Sequence, residues 1–210
     1  MFNIIFIWIP KTGGSSIFKF LEKNFQAKKF KALSQLNGFS NEGCVTFGHM
    51  SYINLLSTGL VHKNFHEKSY KFTVTRSPYD RAVSLFNYTM QRNTIDKNVT
   101  FEQFLELVHT KRPPVGLYNV YGLSQTNPQV DWIIGYKNGF FVDNIFRLSE
   151  LDNFAKEMKS KYNVDFDHNL KINESKLFIT KDAVLKNRTV IDMINTIYAR
   201  DFDLLGYRKI

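Results

Sequence analysis

Short uninterrupted apolar runs alternate along this chain with longer segments in which apolar residues recur every three or four positions. Residues 3–9 (NIIFIWI) form the first such run: β-branched and aromatic side chains, ended by Pro10, predict a strand buried on both faces. A short loop, Lys11-Thr12-Gly13-Gly14, follows, and Ser15 or Ser16 then caps a helix carrying Ile17, Phe20 and Leu21 on one face. Residues 27–43, rich in Lys, Ser, Asn and Gly, read as an irregular excursion. Residues 44–47 predict a second short strand, with Gly48 and His49 at its C-terminal end. The next strand is expected at 71–75 (KFTVT), followed by Arg76-Ser77-Pro78 and a helix starting near Asp80. In that helix Val83, Phe86 and Met90 mark the buried face, while Arg81, Ser84 and Tyr88 occupy another. Residues 100–110 predict an amphipathic helix with Phe101, Phe104, Leu105 and Val108 inward, stopped by Pro113-Pro114. A strand within 140–148 and a helix at 151–162 come next, then a polar surface loop at 163–176 and a last helix at 184–198 ahead of the aromatic tail 202–207.

Strands alternating with helices, with no internal repeat, low-complexity tract or clear linker, predict one α/β domain over residues 1–210, its mainly parallel central sheet flanked by helices. Ligands of such sheets bind beyond the carboxyl ends of the strands. Lys11, His49 and Arg76 each follow a predicted strand, so all three are expected along that edge.

Composition narrows the classes. A hydrophobic fraction of 43% with 15% aromatic residues excludes a disordered chain, and 28 basic against 19 acidic residues leave a formal charge of +9, which points to an anionic partner. The lone cysteine, Cys44, excludes an intramolecular disulfide framework and a zinc site of several thiolates, and reads as a small core residue. The apolar N-terminal run is too short for a transmembrane segment and lacks the marks of a signal peptide, so the chain reads as soluble and cytoplasmic. The sequons beginning at Asn87, Asn98, Asn173 and Asn187 read as coincidental in this asparagine-rich sequence.

Two segments carry candidate chemistry. In Pro10-Lys11-Thr12-Gly13-Gly14-Ser15-Ser16, glycines between a strand and a helix let a ligand approach the backbone, and the N–H groups at the helix start form an anion site. Lys11 and the hydroxyls add donors suited to phosphate or sulfate oxygens. The lysine precedes the glycines, so this is not GxxxxGK[ST], nor does it match G-x-G-x-x-G. In the second segment, 74–86, Arg76 emerges at the strand end and Ser84 lies about one turn into the helix, placing both in reach of one phosphate. The plain structural readings are a tight turn with an exposed lysine, and an arginine that caps a carboxylate.

Together PKTGGSS and RSPYDRAVSLF resemble the sulfotransferases that use 3′-phosphoadenosine 5′-phosphosulfate (PAPS), in particular the carbohydrate sulfotransferase branch. Weaker similarities continue through Gly48-His49, Asn127-Pro128-Gln129, the Phe146-Arg147 to Leu151 stretch, Asn173-Glu174-Ser175 and the ending at 201–207, so the resemblance spans nearly the whole chain, although the chain is compact for the family. It implies a P-loop-like sulfotransferase fold and sulfuryl transfer from PAPS to a hydroxyl acceptor on a carbohydrate, leaving 3′-phosphoadenosine 5′-phosphate (PAP). It further implies that Lys11 contacts the 5′-phosphosulfate and the bridging oxygen, that Thr12, Gly13, Gly14, Ser15 and Ser16 cradle the phosphate, and that Arg76 and Ser84 hold the 3′-phosphate. No acidic cluster beside the loop suggests a magnesium site, so no metal is expected.

A hydroxyl acceptor needs a general base, and histidine titrates nearest neutrality. His49 is the best placed; His62, His66, His109 and His168 read as structural or exposed, and Glu42 is the outside candidate. Arg81 faces either the acceptor, the 3′-phosphate or a helix carboxylate. Asn173, Ser175 and Lys176 are late nucleotide contacts in the family pattern and a plain solvated loop otherwise, while Trp132, Tyr118 and Tyr121 stack on a ring or belong to the core. Two other functions stay open: a nucleotide or small-molecule kinase with an atypical P-loop, and a non-catalytic basic module for nucleic acid or an acidic glycan. Against nucleic acid as a partner, the basic residues are spread along the chain and no binding signature appears.

Overall fold

The first apolar run does become a central strand, β1 (Ile4–Ile7), in the computed structural model, which describes residues 2–110, 119–120, 123–135, 139–167 and 176–210. The chain divides into two compact units, one of residues 1–75 and 132–173, the other of residues 76–131 and 174–210.

The first unit is built on a five-stranded, wholly parallel sheet. Besides β1 it contains β2 (Lys28–Lys29), β3 (Cys44–Thr46), β4 (Tyr70–Thr75) and, after the two short strands of the second unit given below, β7 (Asn144–Arg147), in the order β2-β3-β1-β4-β7. Ile4 to Ile7 pair with Tyr70 to Thr73 on one side, while Ile4 and Ile5 pair with Cys44 and Val45 on the other. All four residues of β1 are buried, as an apolar run without alternation requires. Side chains alternate across the sheet, so Ile4, Phe6, Phe72, Val74 and Phe146 share a face. That face forms one core with Ile17, Phe20 and Leu21 of α1 (Gly14–Phe25) and with Phe154 and Met158 of α6 (Leu151–Tyr162). The predicted excursion at 27–43 contains β2 and a 3-10 turn at Leu33–Gly38, and two short helices the sequence reading did not identify, α2 (Tyr52–Ser57) and α3 (Lys63–Lys68), precede β4.

The second unit is mainly helical. α4 (Pro78–Gln91) is buried on all sides except a stripe bearing Asp80, Ser84 and Tyr88. Its core joins Leu85, Phe86 and Met90 to Phe101, Phe104 and Leu105 of α5 (Phe101–His109) and to Ile191 and Ile194 further on. The hydroxyl of Thr100 accepts from Gln103 N at 3.2 Å and Gln103 Oε1 accepts from Thr100 N at 2.9 Å, a reciprocal cap that fixes the start of α5. β5 (Asn119–Val120) and β6 (Leu123–Ser124) form a small antiparallel ladder. The single helix expected at 184–198 is instead α7 (Lys181–Leu185) and α8 (Arg188–Ile197), and the aromatic tail is helical as α9 (Ala199–Leu205). Asn187 makes the break: its side-chain oxygen accepts from Val190 N at 3.2 Å, starting a new helix where a continuous one would need an unbroken ladder.

Among the described residues, no helix is long and apolar enough to cross a membrane. Cys44 is buried, and burial pushes its thiol up to about 12. Asn87 is buried with its amide bonded to residues 178 and 179, so that sequon offers no accessible acceptor.

Candidate active site

In the parallel sheet Lys29 pairs with Thr46, and both close their strands at the edge where β1 also ends. The loop after β1 and the turn bearing His49 therefore leave the same edge of the first unit. Within the loop, Lys11 has φ 66° and Gly13 φ 80°, two left-handed residues separated only by Thr12. For Lys11 this conformation costs about 1–2 kcal/mol, a local strain the surrounding loop must hold. Thr12 is fully buried and donates its hydroxyl to Ile9 O at 2.9 Å, so it fastens the loop to the strand end.

The expected serine cap is absent: Gly13 occupies the N-cap position and Ser15 and Ser16 lie inside the first turn of α1. A side chain at Gly14 would meet Trp8, since a Cβ there would overlap the indole nitrogen. The helix start is thus pressed against Trp8, with no acidic residue in its first turn to oppose an anion.

Trp8 joins the loop to the histidine. Its ring stacks on Phe6 and Phe18, with centroids 5.9 and 5.7 Å apart, while the Lys29 ammonium sits 3.6 Å from its centroid. Burial and the charge of Lys31 lower the Lys29 pKa to about 8. His49 lies edge-on to Trp8 at 5.6 Å and to Trp132 at 6.3 Å, and its Nδ1 is 3.1 Å from the Trp8 carbonyl oxygen. A carbonyl only accepts, so Nδ1 carries the hydrogen in this contact. Trp132 is buried, as in the core reading of that residue, yet its ring faces His49.

Glu42 does not belong with His49. It is exposed and precedes the first residue of β3, at the opposite edge of the sheet from the turn that follows β3. His66 is half-buried with Nδ1 3.0 Å from the Tyr52 hydroxyl, whereas His62 and His109 are exposed. His168, Tyr118, Tyr121, Asn173 and Ser175 lie outside the described residues, and Lys176 is exposed.

In the second unit Arg76 is partly buried, and burial lowers its pKa, opposed by the charge of Asp80. Asp80 is itself paired with Lys181 at 2.9 Å. A guanidinium partly stripped of water has more to gain from an anion than an exposed one. Its backbone is held on both sides by one side chain: Arg76 N donates to Gln129 Oε1 at 2.8 Å, and Gln129 Nε2 donates to Arg76 O at 2.8 Å. Gln129 in turn meets the buried Asp201 carboxylate, which accepts from Gln129 N at 2.9 Å, Gln129 Nε2 at 3.2 Å and Val130 N at 3.0 Å. Burial raises the Asp201 pKa, against Arg81 and these donors, which lower it. Ser84 lies on the open stripe of α4, whereas Arg81, one turn before it on the same side of the helix, is buried and donates Nη2 to Gln125 O at 2.7 Å. Of the three roles open to Arg81, this burial favours the internal one, beside the Asp201 carboxylate whose titration it influences.

The sequence reading did not single out Trp8 or Lys29, and met Gln129 and Asp201 only as weak similarities. The available signal was position: a tryptophan directly before the glycine loop, and a lysine closing a strand at the same edge.

The Sulfotransferase family model matches residues 2–208. No curated protein sequence matches the chain. A solved sulfotransferase from Alicyclobacillus acidocaldarius shares 13% identity with a TM-score of 0.55, over 99% of this chain and 97% of that one. The mouse sulfotransferase SULT7A1, solved in complex with PAP, shares 19% identity with a TM-score of 0.49, over 82% of this chain. This chain covers 60% of the length of the mouse protein's chain. The bacterial likeness shows a common α/β fold, and the family match over nearly every residue shows that the chain belongs to the Sulfotransferase family.

Proposed function

We propose that this chain is a PAPS-dependent sulfotransferase, a single domain over residues 1–210 that moves a sulfuryl group to a hydroxyl, most simply that of a carbohydrate. The observation that carries the reading is the glycine loop after β1, left-handed at Lys11 and Gly13 and opening α1 without an acidic residue, on the strand edge that also bears His49. In this reading Nε2 accepts the proton of the acceptor hydroxyl as its oxygen attacks sulfur. The bond from sulfur to the bridging oxygen breaks, and its electron pair stays on the 5′-phosphate of PAP. Lys11 faces that developing charge, while the backbone of Thr12, Gly13 and Gly14, with Ser15 and Ser16, holds the 5′ end. Arg76 and Ser84 take the 3′-phosphate. The glycine loop fits such a ligand: it is left-handed at two positions, opens α1 without an acidic residue, and carries a lysine. The PAP complex of the mouse sulfotransferase agrees with this choice of nucleotide.

Calorimetry with PAP tests the reading. The unmodified chain should bind, and Lys11→Ala and Arg76→Ala should each bind at least about tenfold more weakly, the loss of one charge-assisted contact. Failure of the unmodified chain to bind PAP overturns the proposal. Transfer of label from PAPS to neutral and acidic oligosaccharides then identifies the acceptor.

A further inference from the structure

Arg76 is separated from Gln129 by 53 positions and Gln129 from Asp201 by 72, yet the three form one continuous hydrogen-bonded chain inside the second unit. Gln129 and Asp201 are both fully buried. Every donor and acceptor of the Gln129 amide has a defined partner: Oε1 accepts from Arg76 N, and Nε2 donates to Arg76 O and to Asp201 Oδ2. Turning that amide over would place its oxygen against a carbonyl and a carboxylate and its nitrogen against an N–H, three repulsive contacts at a fully buried position. The Asp201 carboxylate therefore fixes which way the amide points. The amide in turn grips the peptide groups on both sides of the Arg76 Cα, and so sets the direction in which the guanidinium leaves the backbone.

We infer that Gln129, oriented by Asp201, is a positioning residue for Arg76, and that this buried chain makes the protein selective for nucleotides bearing a 3′-phosphate. The inference rests on the proposal that Arg76 holds that phosphate. A long arginine side chain leaving a mobile backbone would lose affinity to disorder on binding; a backbone held at both peptide groups has already met part of that cost on folding. Asp201 is otherwise unexpected, since a buried carboxylate is unfavourable without donors of its own. Here it accepts from three N–H groups, one of which belongs to the Gln129 side chain that grips Arg76.

The test compares PAP with adenosine 5′-phosphate, which lacks the 3′ group, by calorimetry on the unmodified chain, Gln129→Met and Asp201→Asn. Gln129→Met is the cleaner variant, because the bonds from the backbone N–H groups of 129 and 130 to Asp201 remain. The expected result is a fall of about tenfold in PAP affinity, with affinity for adenosine 5′-phosphate unchanged, as one lost charge-assisted contact would give. Circular dichroism and a urea midpoint establish that each variant is folded at the temperature of the titration. A PAP to adenosine 5′-phosphate affinity ratio that stays at the unmodified value in folded Gln129→Met overturns the inference, and so does an equal loss for both nucleotides. If the unmodified chain binds neither nucleotide, the functional reading fails; if it binds both and only the ratio is unmoved, the positioning role alone fails.

Discussion

His49 donates its Nδ1 hydrogen to the carbonyl oxygen of Trp8 at 3.1 Å, and the same tryptophan packs its indole against Gly14 at the first turn of α1. One residue thus sets the tautomer of the proposed base and the position of the proposed anion loop. Replacing His49 by Ala removes the base and leaves the loop in place. Turnover should fall by about 10²- to 10⁴-fold while PAP affinity is essentially unchanged. Kinetics with saturating PAPS alongside PAP calorimetry check this, and full activity in His49→Ala removes the residue from the mechanism.

Gly14→Ala places a methyl group where the Trp8 indole already stands, in overlap with three of its atoms. The indole is itself buried and packed against Phe6, Phe18 and His49. Urea unfolding should show a loss of about 1–3 kcal/mol, the ordinary cost of overpacking, together with weaker PAP binding. An unchanged midpoint would contradict the packing described.

Lys29 gives a pH prediction with a definite sign. Its folded pKa of about 8 lies below the ordinary 10.5, so between these values the unfolded chain binds the proton and the folded chain does not. This group's contribution to stability therefore rises as pH goes from about 8 to 10.5 and is flat below that window. Because the ammonium lies over Trp8, one of only two tryptophans, its titration should appear as a fluorescence change centred near pH 8. The Lys29→Met variant should lack it; a transition that persists there belongs to another group.

Asn87→Ala removes three hydrogen bonds that tie α4 to the chain at 178 and 179, and leaves two backbone N–H groups and one carbonyl without those partners. Stability should drop by about 2–3 kcal/mol, with faster hydrogen exchange at the amides of Phe178 and Ile179. Exchange at those amides that matches the unmodified chain would show that the anchor lies elsewhere.

Sulfuryl transfer should continue after dialysis against EDTA. An atypical P-loop kinase would instead need ATP and magnesium, so label transfer from ATP that EDTA abolishes would favour the kinase reading.

Much of the architecture was legible in local patterns. The unbroken apolar run ending at Pro10 predicted a strand buried on both faces, and the spacing of Ile17, Phe20 and Leu21 predicted the face that α1 buries. The glycine loop between them could be read as an anion site because strand, loop and helix are consecutive in sequence. The break at Asn187 was missed because a helix of the right periodicity continues across it, and only the side-chain cap reveals the restart. The burial of Arg81 escapes the sequence for a related reason: helical spacing puts it on one side with Ser84 and Tyr88, but only the tertiary structure covers it and leaves those two partly open.

What the sequence determined by itself was therefore what neighbours along the chain can decide: element type, buried face and the residues of each motif. Which residues meet across the fold was decided by tertiary structure. Trp8 and His49 are 41 positions apart and meet because their strands are parallel neighbours in one sheet. Gln129 reaches Arg76 across 53 positions and Asp201 across 72, through hydrogen bonds whose partners no periodicity encodes. A buried polar group must find a partner, and that requirement fixes the pairing only once the backbone has brought the partners together.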